Sequence, residues 1–318
     1  MNLSKVFGII FGAIIFFLIV YVVGIEKIIQ SFKDFNFIYL PLILFILFIL
    51  YILAGINTWI IAKAFGKVSL GYVIKTTFIT LVYAVIIPGK LADLLMIPFL
   101  KKQGLNLSQS TITIGLDKII SLVIKSVFGL FGAIFILKKF DLLFFGLPLI
   151  SICLIFIVVL LVKSKTFLNF VKNKLLKKYS VIFKKFSKNL KFYLKHNKKN
   201  LFYNSIITII KTFLEALLFF VLFLSFGQFT NIFVIFFMFS LLSVIMLVTF
   251  PVGISGIGVR EVIAIFIFGA VGVDSVVVFN SFIIRLVLIY IINLFTIYFL
   301  RNELAFIKTS GLLKRIKF

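Results

Sequence analysis

Residues Pro251–Glu261 read PVGISGIGVRE. A proline, three glycines, an arginine and a glutamate stand here inside a long apolar region. An arginine or acid at the centre of a bilayer costs about 2.5–3.5 kcal/mol on insertion scales. Glycine and proline at that depth release backbone groups that lipid cannot satisfy. Such a stretch is tolerated where protein or a water-filled cavity surrounds it. A fainter version lies at residues 88–93, PGKLAD. These two breaks decide the fold, and the rest of the chain reads as their scaffold.

The 318 residues are 63% hydrophobic with a mean hydropathy of +1.27, against an apolar share of about 45–50% in soluble domains. Several apolar runs are long enough to cross about 30 Å of hydrocarbon as helices. The sequence therefore predicts an all-α, polytopic membrane protein, a single transmembrane domain over residues 1–318. The net charge of +25 fits positive-inside bias and attraction to anionic headgroups. Nucleic-acid binding would need a soluble basic fold for which the chain leaves no room. Cys153 and His196 are single, so neither a disulfide nor a Cys/His metal site is expected, and no cofactor is implied. The glycines of 253–258 loosely resemble a dinucleotide fingerprint, but that motif needs a preceding strand.

Full spans are expected at about 6–23, 38–61, 112–137, 142–162, 203–226 and 276–300, the first retained because no small-residue cleavage site follows it. Segments 72–100 and 231–271 are apolar and each carries one break. Lysine and arginine set the orientation. Lys63, Lys67, Lys101 and Lys102 lie in short loops, and thirteen lysines with no acid fill residues 163–199. No Lys or Arg lies between Lys211 and Arg260, or between Arg260 and Arg285. The consistent path puts both termini in the cytoplasm of a multi-pass cell-membrane protein. It leaves only Lys138 and Lys139 on the wrong side. Segment 72–100 then opens from the cytoplasm and 231–271 from outside. This predicts inverted-topology repeats, about 38–137 and 203–300, each containing a Pro/Gly-broken hairpin. Broken helices at matching places in such repeats mark midplane binding sites in transporters. Between the repeats, Phe167, Val171, Leu175, Tyr179, Ile182, Phe183, Phe186, Leu190 and Leu194 recur at three- to four-residue steps. The basic loop 163–200 is thus expected to lie as amphipathic helix on the anionic leaflet surface.

Four acids fall in apolar segments: Asp93, Asp117, Glu215 and Glu261. Thr113, Asp117, Ser121 and Lys125 form one stripe with Lys118 beside it, and the stripe should face the bundle interior. Lys211 and Glu215, one turn apart, read as an internal salt bridge. Ser281, Arg285 and Asn293 share a face. The chain has thirty lysines but four arginines, two of them Arg260 and Arg285. Arginine offers a planar fork for phosphate or carboxylate, with Glu261 as neutralising partner. Gly256 and Gly258 precede a helix expected to start near Val259, whose bare N–H groups attract anions. Pro88, Gly89 and Lys90 are the counterpart, with Asp93 in the role of Glu261.

At these residues the chain resembles the transmembrane region of lysylphosphatidylglycerol synthases, a flippase-like family. Members show P-G-R-x-G-E, then an E-R pair, then P-G-G-x-G-x-R-E. Here these read Pro88-Gly89-Lys90-Leu91-Ala92-Asp93, then Asp117-Lys118, then Pro251-Val252-Gly253 through Gly256, Gly258, Arg260 and Glu261. Lys90, Ala92 and Asp93 replace Arg, Gly and Glu. The resemblance implies lipid translocation and does not carry over synthase activity, since in the synthases a separate soluble domain does the aminoacyl transfer. The expected substrate is a membrane phospholipid or polyprenyl-phosphate lipid. It would pass Lys90, Asp93, Asp117, Lys118, Arg260, Glu261 and Arg285 over a backbone cradle of Pro88, Gly89, Gly253, Gly256 and Gly258. Two alternatives stand beside this. One is a non-catalytic subunit docking a soluble synthase or glycosyltransferase through residues 163–200. The other is a membrane-embedded transferase acting on polyprenyl phosphate, for which Asp34 and Asp274 are the loop acids.

Overall fold

The computed structural model describes residues 20–21, 24–86, 89–137, 189–248 and 258–300, which contain helices and turns and no strand. The spans expected at 142–162 and, apart from residues 20–21, at 6–23 lie outside the described residues. So does most of the loop 163–200. The helices are α1 (Ile25–Lys33), α2 (Leu40–Ala62), α3 (Leu70–Ile86), α4 (Met96–Lys102), α5 (Leu107–Leu137), α6 (Lys198–Ser225), α7 (Ile232–Val248), α8 (Val259–Gly269) and α9 (Ser275–Phe299). A 3-10 segment, Gly89–Leu95, leads into α4. The chain is a helical membrane protein: α2 with its preceding turn, α6 and α9 are each long and apolar enough to cross a bilayer.

The two ambiguous segments break where the sequence breaks. α3 and α7 are 17 residues each, about 25 Å at 1.5 Å per residue. That is short of the roughly 30 Å hydrocarbon core. Each returns through a shorter helix. Ser69 N–H donates to Gln103 Oε1 at 3.2 Å, so the first hairpin begins and ends on one face of the bundle. Gln228 Nε2 donates to the Gly272 carbonyl at 2.9 Å and Asp274 N–H to Gln228 Oε1 at 3.0 Å. These bonds close the second hairpin in the same way.

The two mouths lie on opposite faces. Asn36 N–H donates to the Ser225 carbonyl at 2.8 Å, while Asn57 Nδ2 donates to Thr208 Oγ1 at 2.9 Å. The start of α2 thus meets the end of α6, and its end meets the start of α6, so the two run antiparallel. Trp59 Nε1 donates to the Val68 carbonyl at 2.8 Å, which puts the first mouth at the C-terminal end of α2. The second mouth follows the C-terminal end of α6. Packing repeats between the halves: α2 meets α3 as α6 meets α7, α4 meets α5 as α8 meets α9, and α5 meets α7 as α9 meets α3.

Between the spans expected at 6–23 and 38–61, residues Ile25–Lys33 form α1. α1 forms there because Ile28 packs with Phe279 of α9 and accepts from Asn280 Nδ2 at 3.2 Å. At the other end of the chain's middle loop, residues 189–196 are helical. Their buried side chain is Tyr193, packed on Ile61, Ile112 and Leu116, while Phe192 and Leu194 are exposed. This last turn of the basic loop docks on the bundle as well as presenting apolar side chains. Burial pushes the Tyr193 phenol above its ordinary range.

Small residues set the tightest packing, as in membrane bundles generally. A Cβ on Gly132 of α5 would stand 2.6 Å from the Phe237 carbonyl oxygen of α7. Backbone cannot move aside as a side-chain tip can. A Cβ on Gly115 of the same helix meets nothing within 4 Å. Gly132→Ala is therefore expected to cost about 1–3 kcal/mol by overpacking. Gly115→Ala should gain up to about 1 kcal/mol from helix propensity. Thermal unfolding of both variants in one detergent checks the opposite signs.

Candidate functional site

α8 begins at Val259 because Gly258 turns the chain into it with φ 89° and ψ −64°. A side chain would strain that conformation. The Gly258 N–H donates to Glu261 Oε2 at 2.6 Å. Arg260 donates to the other oxygen, Oε1, through Nη2 at 2.6 Å and Nε at 3.1 Å. Glu261 is 2% exposed with both oxygens engaged. A carboxylate in the first turn also complements the helix dipole. The N–H that the sequence offered to an external anion is thus held by the chain's own glutamate. The Arg260 guanidinium lies 5.0 Å from the Phe282 ring of α9.

Arg285 of α9 differs from Arg260. Its guanidinium lies 5.8 Å from the Phe219 ring, and its Nε is buried without a hydrogen-bond partner. Among the described residues it has no ion-pair partner within 4 Å. The groups that act on it electrostatically are Arg260, Tyr51, Glu215 and Glu261. On the same face, Ser281 and Asn293 are buried with unpartnered polar atoms, so the face read from the sequence is an interior one.

In the first half, Asp93 comes from the 3-10 segment and meets Lys118 Nζ of α5 at 2.8 Å. Asp117 stands 3.9 Å from the same ammonium and accepts from Asn204 Nδ2 of α6 at 3.3 Å. Adjacent residues on a helix point about 100° apart. Hence Lys118 turns to the hairpin and Asp117 to the core. The Lys118 and Asp93 side chains are 45% and 36% exposed, against 3% for the side chain of Glu261. The first pair is therefore open and the second closed.

Between these lie the residues the sequence misassigned or missed. Glu215 pairs with Lys125 of α5, not with Lys211. Four-residue spacing on one helix permits a pair, but the α5–α6 interface offers a closer one. Lys211 has no ion-pair partner within 4 Å among the described residues, though Asp117, Lys118, Glu215 and Lys125 all act on it. Asn57, Asn204 and Thr208 were missed. Asn204 Nδ2 donates to the Asn57 carbonyl at 3.0 Å and ties α2 to α6. The signal was present in α6 as Asn204, Thr208 and Thr212, all fully buried, at the same four-residue step that marked α5.

The structure brings Asp93, Asp117 and Lys118 together, and separately Arg260, Glu261 and Arg285. Glu215 lies within electrostatic reach of Lys118, Lys211 and Arg285, joining both groups into one charged band across α5, α6, α8 and α9. Pro88, Gly253 and Gly256 lie outside the described residues, and Gly89 and Lys90 enter only through the backbone of the 3-10 segment. No cluster of metal-ligating side chains occurs among the described residues.

The family model described as lysylphosphatidylglycerol synthase TM region matches residues 5–296, and the chain belongs to that family. No curated protein and no solved structure matches it.

Removing one partner of a buried ion pair leaves the other charge stranded, at about 3–5 kcal/mol. Glu215→Ala should cost about 3 kcal/mol, the lower figure because both partners keep some exposure. Lys125→Met combined with Glu215→Met should recover most of it. Thermal unfolding in detergent reads both, and equal losses in single and double variants would show that the pair does not carry the effect.

Proposed function

We propose that this member of the lysylphosphatidylglycerol synthase TM-region family moves phosphate-bearing lipid headgroups between the leaflets of the cell membrane. The headgroup passes the charged band while the acyl tails stay in lipid. The observation that carries this reading is Arg285, a guanidinium inside a membrane-spanning helix with no carboxylate on it. An unpaired cation there costs about 2.5–3.5 kcal/mol. A lipid phosphate in the same place removes that cost with charge-assisted hydrogen bonds.

The two halves support the reading. Each hairpin supplies an acid, Asp93 or Glu261, and the span after it supplies a cation, Lys118 or Arg285. In the first half acid and cation pair; in the second the acid turns to Arg260 and leaves the span cation open. We read the halves as inverted-topology repeats. By the lysine distribution, the face holding residues 63–69, 101–106 and 189–200 is cytoplasmic, and both termini lie there. No step in this reading needs a nucleotide: the headgroup exchanges between sites that open on opposite faces.

Leaflet exchange of fluorescent phospholipids in proteoliposomes tests the proposal. A hydrogen bond to a charged group contributes about 1.5–3 kcal/mol, so Arg285→Ala should slow exchange about ten- to a hundredfold. Arg285→Lys should restore part of the rate, since it returns the charge without the fork. If the wild-type protein moves no phospholipid of any headgroup, the transporter reading falls and docking of a soluble enzyme through residues 163–200 becomes the better one.

A further inference from the structure

The two arginines of the second half each stand over a phenylalanine. The Arg260 guanidinium lies 5.0 Å from the Phe282 ring centroid and the Arg285 guanidinium 5.8 Å from that of Phe219. Both are inside the reach of about 6 Å over which a ring face attracts a cation. The two rings touch, with 4.6 Å between centroids. Phe219 is fully buried, and its ring also packs on Phe239 of α7 and Phe268 of α8, at 5.1 and 6.2 Å. Helices α6, α7, α8 and α9 thus meet at this ring and fix it. Arg260 acts on Arg285 as a like charge, so the pair of rings sets where two mutually repelling guanidiniums stand.

A guanidinium is planar and binds in two ways at once. Its face stacks on a ring, and its in-plane N–H groups donate to oxygen. Arg260 shows both together: it stands over Phe282 and donates through Nη2 and Nε to Glu261. Arg285 has the ring but, among the described residues, no ion-pair partner, and its Nε is buried without an acceptor. We infer that Phe219 is a positioning residue of the headgroup site: its ring holds the Arg285 guanidinium by the face and leaves the in-plane donors to the lipid phosphate. The inference rests on the transporter reading above and deepens it. A carboxylate in place of the ring would hold Arg285 through the same donors that the phosphate needs. The ring orients the cation and consumes none of them.

The test uses the full chain and ring fluorination at single positions. Fluorine keeps the ring close to its shape and withdraws negative charge from its face, which weakens the hold on a cation. Phe219→trifluorophenylalanine should slow exchange of fluorescent phospholipid in proteoliposomes about three- to tenfold, the size of one cation–π contact. Phe223 is one turn on, also fully buried, and has no cation over its ring among the described residues. The same replacement there should leave exchange at the wild-type rate. Thermal unfolding in detergent is the second readout and needs no transport. Fluorination at residue 219 should lower Tm when Arg285 is present and leave it unchanged in Arg285→Met. The inference is overturned if fluorination at 219 slows exchange no more than fluorination at 223, or if its effect on Tm is the same in Arg285→Met as in wild type. If wild type exchanges no phospholipid, the transporter reading falls and the headgroup role of Phe219 falls with it, while the unfolding comparison still decides whether the ring holds the guanidinium.

Discussion

A charge inside a membrane is costly without a counter-charge, and much of the architecture follows from that constraint. The acids of the apolar segments are not scattered along one helix. Asp93 and Glu261 come from the two broken hairpins, Asp117 from α5 and Glu215 from α6, and each faces a cation or an amide. Those contacts need hairpins that enter the bundle part way, because a continuous helix would carry the acids past the spans that neutralise them. α3 and α7, at 17 residues each, end short of a full crossing, and the shorter α4 and α8 lead the chain back. Gly132 then lets α5 and α7 close on one another at backbone distance, which brings the two halves into contact.

Sequence made part of this legible. The breaks are legible because Pro and Gly among apolar residues have few readings. The start of α8 at Val259 follows from Gly258 before it and Glu261 three residues on, a spacing that satisfies an N-terminal N–H. The stripe Thr113–Asp117–Ser121–Lys125 was legible as interior because polar groups facing lipid are expensive. The partners were not legible. Lys211 and Glu215 sit at ideal same-helix spacing, yet Glu215 turns to Lys125, since helix-to-helix register depends on packing that no local pattern encodes. Asn57 was hidden for a related reason: a lone amide in an apolar helix has no periodicity, and its meaning appears only when Asn204 and Thr208 of the antiparallel α6 meet it. Tyr193 was masked by its neighbours, for the phenylalanine and leucine on either side are the exposed ones.

The two halves use similar parts in unequal ways, and the inequality separates structure from function. If stability alone were at stake, Glu261 would do most by pairing with Arg285 across α8 and α9, as Asp93 pairs with Lys118 across the first hairpin and α5. Instead Glu261 spends one oxygen on the Gly258 N–H and gives the other to Arg260. Two constraints meet at this carboxylate. The helix start needs an acceptor, and the adjacent arginine is the nearest cation. The consequence falls on Arg285, which is left with an aromatic face and a buried Nε that lacks an acceptor.

That arrangement also fixes how an arriving anion would engage. Arg260 places Nη2 and Nε on a single oxygen of Glu261, so its pairing is not the two-oxygen fork that holds carboxylates most firmly. The other oxygen cannot complete the fork without stripping the N-terminus of α8. Arg260 is thus restrained but not saturated, whereas Arg285 is unsaturated outright. On the transporter reading, a headgroup phosphate would take Arg285 and leave Glu261 on Gly258. Arg260 would then be the second contact, since Glu261 already holds two of its donors.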